Sequence, residues 1–192
     1  MRLSKEQTAD NKARVLDTAL ALFAERGFAG VAVSELMAQA GLTHGGFYNH
    51  FESKAALEAE ACALAFNRAL AAIGKVAARP AGAERRAGLK LFVRRYLSEK
   101  ARDAKGALCP MVAFSTDVMR ESPDVQSRYA KGFAAYVETL ATAMESDRAS
   151  AMMLLAELVG GLKLARSLSA TDRALSDAVL AATREEIIGR LG

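Results

Sequence analysis

The sequence predicts an all-α fold, and three observations carry that expectation. Apolar residues recur three and four positions apart along most of the chain, the spacing that lines one face of a helix. Glycine, proline and capping residues interrupt this rhythm where helices would have to end. With 192 residues, 52% of them hydrophobic, the chain can bury one sizeable helical core beside a small N-terminal module. About nine helices are expected. They divide into a three-helix module over residues 1–54 and a larger helical domain over residues 55–192.

The first helix is expected over Lys5–Arg26, where Ser4 and Gln7 have capping-box spacing and Val15, Leu16, Ala19, Leu22 and Phe23 form the inward stripe. Gly27 stops it. Ser34 to Ala40 forms a short second helix with Leu36, Met37 and Ala40 inward, and Gly41 takes the positive φ that ends such a helix without strain. Leu42 plugs the corner. Thr43 supplies an N-cap hydroxyl for a third helix reaching Phe51, with Phe47 and Phe51 on its buried face. The opposite face presents His44, Tyr48 and Asn49, with Thr43 at its tip. A buried aromatic pair beneath exposed hydrogen-bonding groups suits a helix-turn-helix reader, whose recognition helix meets base edges in a major groove. Gly45 and Gly46 each cost such a helix about 0.8–1 kcal/mol relative to alanine, but they let its backbone approach a phosphate. Lys54, just inside the next helix, opposes that helix's dipole and suits a phosphate partner.

The run G-L-T-H-G-G-F-Y-N-H-F-E-S-K, from Gly41 to Lys54, resembles the signature of the tetracycline-repressor (TetR) family of bacterial transcription regulators, in which G-V-S-K-G-T-L-Y-x-H-F-x-S-K recurs. The resemblance is strong over roughly residues 10–60 and implies an all-helical plan beyond them. It also implies that Tyr48, His50 and Lys54 touch DNA phosphates or bases, as do Val33 and Ser34 at the start of the preceding helix. Two departures stand out. His44 replaces a common lysine, exchanging a permanent charge for an imidazole. Val31 and Ala32 stand where Thr or Ser often opens the scanning helix, so a capping oxygen is missing. The candidate DNA-binding set is therefore Val33, Ser34, Thr43, His44, Gly45, Tyr48, Asn49, His50 and Lys54.

Ser53 caps a long helix reaching about Ala78, before Pro80 and Gly82 break the pattern. It has two apolar sides: Leu57, Ala61 and Leu64 share one face, while Cys62, Phe66, Leu70 and Ile73 lie nearly opposite. A helix so built could act as a lever between the module and a second body. The next helix is expected over Ala83 to Ala104. From Ala107 to Arg120 the chain is short, apolar and broken by Pro110, and Ser122, Pro123 and Asp124 then open a helix to about Ser146. Tyr129, Phe133, Tyr136, Val137 and Leu140 point inward along it. The final helices are expected over Asp147–Leu168 and Asp172–Leu191, the second capped by Thr171. Met152, Leu155, Val159 and Leu162 form one stripe of the penultimate helix, and Leu154, Leu158, Gly161, Ala165 and Leu168 another. Two stripes ask for two partners. Leu154, Leu158, Gly161, Ala165, Leu180, Ile187 and Leu191 are accordingly expected at a twofold four-helix-bundle interface. Such a homodimer would offer two recognition helices about 34–36 Å apart to a palindromic DNA operator.

Net charge is +4 and the pI near 9.2, which permits association with a polyanion without demanding it. Over residues 1–54 acidic and basic groups balance. The excess sits between Arg79 and Lys105, where Arg85, Arg86, Lys90, Arg94, Arg95, Lys100 and Arg102 flank Leu89, Phe92, Val93, Tyr96 and Leu97 as a solvated helix face, the alternative being an attraction for an acidic ligand or for DNA. Phe66, Phe92, Cys109, Met111, Phe114 and Met152 are candidate lining for a small apolar effector, with Met119 beside them. Cys109 carries an alternative: a redox- or electrophile-sensing thiol favoured by Lys105 and Arg102, against an ordinary buried cysteine. Cys62 and Cys109 lack metal-ligand spacing, so no metal or cofactor is expected. No charged leader with an apolar core and no long uncharged apolar run occurs, so the expected location is the cytoplasm, away from membranes. An enzyme is not expected, because both histidines lie in the recognition segment and no paired carboxylates or phosphate cradle appear. The expected function is a ligand-responsive, homodimeric DNA-binding regulator, a repressor released by its effector.

Overall fold

The computed structural model describes residues 4–106 and 109–192. Among these the chain forms α1 (Lys5–Arg26), α2 (Val33–Gln39), a 3-10 segment (His44–Asn49), α3 (Lys54–Ala77), α4 (Ala83–Tyr96), α5 (Glu99–Asp103), α6 (Pro110–Phe114), a second 3-10 turn (Val118–Arg120), α7 (Pro123–Met144), α8 (Arg148–Leu168) and α9 (Arg173–Arg190). The described residues contain no strand, as the all-α expectation requires. Ala107 and Leu108, where the apolar segment was expected to begin, lie outside the described residues. The chain forms two compact units, one within Met1–Asn67 and Lys105–Gly132, the other within Arg68–Ala104 and Phe133–Gly192.

In the first unit the capping box of α1 is complete: the Gln7 amide donates to Ser4 Oγ at 3.1 Å, and the Ser4 amide donates to Gln7 Oε1 at 2.9 Å. Val15, Ala19, Leu20, Leu22 and Phe23 are its buried face. Gly27 ends the helix at φ +73°, and a Cβ there would stand 2.5 Å from Oδ2 of Asp117, so both backbone and space require glycine. The Phe28 ring meets Phe23 edge-on at 5.1 Å and stacks on Phe114 at 4.9 Å. Phe114, expected to line an effector cavity, is therefore part of the core under α1. So small a helical module has too little interior to cover Phe28 by itself, and α6 supplies the missing wall. Pro110 opens α6 at its first turn rather than breaking it, since a proline there forfeits no helical hydrogen bond.

Phe66 of α3 is also buried, its ring edge-on to Tyr129 of α7 at 5.2 Å. Gly132 permits this contact, because a Cβ on it would fall 2.3 Å from Cγ of Phe66. Gly132→Ala should therefore destabilise the fold by about 1–3 kcal/mol despite alanine's better helix propensity. Thermal denaturation followed by circular dichroism checks this, and a raised Tm would contradict the close approach.

The second unit departs from expectation in three places. The helix expected over Ala83–Ala104 breaks at Leu97, and Ser98 caps a separate α5 by accepting from the Ala101 amide at 3.1 Å. Arg102, expected on a solvated face, is 3% exposed and bound to Asp103, Asp177 and Ser176. Asp172, not Thr171, caps α9, accepting from the Leu175 amide at 2.9 Å.

The stripe expected to pair two copies is covered by its own chain. Leu154, Leu158, Gly161, Ala165, Leu180 and Ile187 are buried and Leu191 is half-buried, with Gly161 facing Thr183 where α8 packs on α9. Leu155 and Leu162 of the other expected stripe are buried as well, so the chain covers most of both stripes. The remaining side of α8 is open: Met152, Met153 and Leu164 are exposed, as is Leu175 of α9, and a Cβ on Gly160 would meet nothing among the described residues. Met152 thus lies on this outer face rather than in an effector cavity.

Candidate nucleic-acid interface

The α2–turn–3-10 segment is built from the inside outward. Leu36, Met37 and Ala40 are buried, and Gly41 turns the chain at φ +68°. The Leu42 amide donates to Met37 O at 2.9 Å, closing the corner. The recognition segment is a 3-10 helix rather than an α-helix, with the Gly46 amide donating to Thr43 O at 3.0 Å and the His50 amide to Phe47 O at 2.9 Å. Two adjacent glycines explain this, because each weakens the longer α-type ladder. Thr43 precedes the segment as expected, yet its side chain makes no capping hydrogen bond. The residue is exposed instead.

Phe47 and Phe51 pack under this surface with ring centroids 5.6 Å apart. Above them Thr43, His44, Gly45, Tyr48 and Asn49 are exposed, Tyr48 to 67%. The His44 and Tyr48 rings stand edge to face at 6.5 Å. A Cβ on Gly45 would meet nothing among the described residues, so no packing there explains that glycine. At the start of α2, Ser34 is exposed and Val33 half-buried, and Ala32 provides no side-chain cap. His50 is half-buried, and its Nδ1 has no hydrogen-bond partner among the described residues. The structure thus brings eight of the nine candidate DNA-binding residues to one α2–turn–3-10 segment, and the ninth, Lys54, opens α3 directly after it.

Lys54 has company that the sequence did not reveal. Its Nζ donates to the Phe28 carbonyl at 2.6 Å and lies 3.4 Å from Oε1 of Glu58. Asp117 accepts from the Phe28 amide at 3.2 Å, so this one residue's backbone is held at both ends. Asp117 stands 89 positions from Phe28, too far for any local spacing to signal the contact. Other cations of the module are also occupied: Arg26 pairs with Glu35 at 2.7 Å, and Lys12 pairs with Glu60 at 2.8 Å while lying over the Phe51 ring. The surface that faces outward is therefore polar and aromatic more than cationic.

The expected effector residues divide between the two units. Phe66, Met111 and Phe114 are buried and Cys109 half-buried in the first, whereas Phe92 is half-buried and Met152 exposed in the second. Cys62 is inert, burial pushing its thiol up to about 12. For Cys109, one expected activating cation is committed elsewhere, since Arg102 is bound by Asp103 and Asp177. A separate open cleft of about 480 Å³ lies at the start of α8 and the end of α9, floored by Met144, Met153, Leu154 and Ile187. The described residues contain no cluster of metal-ligating side chains and no helix long and apolar enough to cross a membrane.

A family model described as bacterial regulatory proteins, tetR family, matches residues 15–61. The uncharacterized HTH-type transcriptional regulator YerO of Bacillus subtilis (strain 168) is 42% identical over 53 residues, 28% of this chain and 18% of that protein. The HTH-type transcriptional regulator AcrR of Shigella flexneri is 34% identical over 59 residues, 31% of this chain and 27% of that protein. The matched stretch thus spans less than a third of either curated relative. Over nearly the whole length the fold is similar to that of a TetR-family transcriptional regulator from Agrobacterium tumefaciens, with a TM-score of 0.78 at 17% identity, covering 95% of this chain and 98% of that one.

Proposed function

We propose, since the chain belongs to the TetR family of bacterial regulatory proteins, that it is a ligand-responsive DNA-binding regulator, acting as a repressor on a palindromic operator. The observation that carries this reading is the exposed set Thr43, His44, Tyr48 and Asn49 standing on the buried Phe47–Phe51 pair. Residues 1–54 would read DNA, and residues 55–192 would bind the effector and pair two copies. Val33, Ser34, Gly45, His50 and Lys54 complete the contact surface, Gly45 by leaving room for a phosphate. A cytoplasmic location and the absence of catalysis belong to the same reading.

Pairing is assigned to the open face of α8 and α9, where Met152, Met153, Leu164 and Leu175 await cover and Gly160 allows close approach. An apolar small molecule that favours the splayed dimer about tenfold to a hundredfold needs only ~1.4–2.7 kcal/mol of differential binding to release the operator. The thiol-sensor alternative is not favoured, because Arg102 is already neutralised by two aspartates.

The test is a gel shift of the DNA upstream of the protein's own gene, repeated at two salt concentrations. Tyr48→Ala should weaken the complex at least tenfold, and Thr43→Ala should change which sequences are preferred. Leu164→Arg should yield a monomer by light scattering and lose the operator complex together with the dimer. A Leu164→Arg protein that stays dimeric would move the interface elsewhere, and a wild-type protein that shifts no duplex would remove the regulator reading.

A further inference from the structure

Lys54 opens α3 with 34% of its side chain exposed, yet its ammonium is engaged within the chain. One partner is the Phe28 carbonyl and the other is Glu58, one helical turn along. Only 7% of the Glu58 side chain reaches solvent, and the charge of Glu121, just before α7, bears on its carboxyl. Burial first, and the Glu121 charge second, hold Glu58 above the usual carboxylate range, while Lys54 works in the opposite direction. A buried acid beside a second acid serves neither the apolar core nor a polyanion. Its effect is on the lysine.

We propose that Glu58, with the neighbouring charge of Glu121 behind it, sets the affinity of the helix-turn-helix head for DNA by holding the Lys54 charge away from the phosphate backbone. The proposal rests on the reading above that Lys54 faces DNA. One ammonium donor is spent on the Phe28 carbonyl and the charge is answered by Glu58, which leaves donors for a phosphate but most of the charge already balanced inside the chain. Asp117 is the other acid at this corner, and it is taken up by the Phe28 amide and packed against Gly27. Because Glu58 lies in α3 and Glu121 at the mouth of α7, a change in the spacing of those elements changes the charge that Lys54 offers to DNA.

The experiment uses the full chain and a random-sequence duplex, since the effect is electrostatic and independent of sequence. Kd is measured at several salt concentrations for the wild type, Glu58→Gln, Glu121→Gln, Lys54→Ala and the Lys54→Ala/Glu58→Gln double variant. Glu58→Gln keeps the side-chain size and removes the charge. It should tighten binding about threefold to tenfold and steepen the salt dependence by about one ion. Glu121→Gln should act in the same direction more weakly, and the double variant should gain nothing over Lys54→Ala. A folded Glu58→Gln protein with wild-type affinity and slope overturns the proposal, as does a gain that survives in the Lys54→Ala background. Should Glu58→Gln fail to fold, the half-buried Glu121→Gln decides on the same criteria. Lys54→Ala binding as the wild type does would remove Lys54 from the DNA surface and this proposal with it. The regulator reading would then still stand or fall on Tyr48→Ala, so the two failures remain distinct.

Discussion

Phe28→Ala should cost about 3–5 kcal/mol, the range for emptying a well-packed aromatic site. The ring is fully buried between Phe23 and Phe114. For a chain of this size that loss corresponds to a fall in Tm of roughly 6–20 °C. The damage should extend to DNA binding. The Phe28 backbone is also where Asp117 and Lys54 grip the corner between α1 and α2, so a loosened residue 28 releases the element that aims the head. A calorimetric melt and a gel shift on the same sample check both effects. Phe28→Leu, which keeps most of the volume, should retain the complex and lose far less stability. Equal losses for leucine and alanine would mean that ring volume is not what holds this corner.

The second large effect is expected at Arg102. Its guanidinium is buried and answered by Asp103 and Asp177, with the Ser176 hydroxyl as a further partner at 2.9 Å. The double variant Asp103→Asn/Asp177→Asn leaves that charge without an anion, at a cost of about 3 kcal/mol. This is the low end for an orphaned buried charge, because the two aspartates are 40–45% exposed and water replaces them in part. Arg102→Met removes the charge with its partners' task and should be markedly milder. A chemical denaturation series that ranks the methionine variant below the double variant would refute the argument. The pH dependence has a definite sign. Hydrogen bonds first from Arg102 and then from Arg173 hold Asp103 down to about 2. A carboxylate depressed in the folded state contributes stability above its ordinary unfolded range and loses it as the pH falls through the folded value. This contribution should therefore be intact at pH 5 and disappear between about pH 4 and pH 2, and Asp103→Asn should flatten that part of the profile.

Much of the fold was legible because helix signals are local. The Ser4–Gln7 box, the Gly27 and Gly41 stops and the Ser53 cap each act within four residues, and each is present in the structure. The Ser98 cap was equally local and could have been read from a serine followed by an acidic residue; the apolar stripe running past it masked the break. In the recognition segment the sequence placed the buried and exposed residues correctly but not the 3-10 geometry, which depends on how two glycines share a short ladder. Of the acids around Lys54 and Phe28, only Glu58 stands at a local spacing, four residues along α3. Glu121 and Asp117 reach that corner from more than sixty positions away, and a lone glutamate or aspartate in a loop carries no spacing to read.

The sequence by itself determined the all-helical class, the order of the helices and the polar surface over Phe47 and Phe51, because periodicity, caps and turns are decided among near neighbours. Tertiary structure decided that the chain covers both apolar stripes of α8 and leaves Met152, Met153 and Leu164 outside, that Arg102 goes inside, and that Phe114 completes the core beneath α1. Those outcomes depend on which distant face arrives to cover an apolar or charged group, and burial is a property of the whole assembly of helices rather than of any one of them.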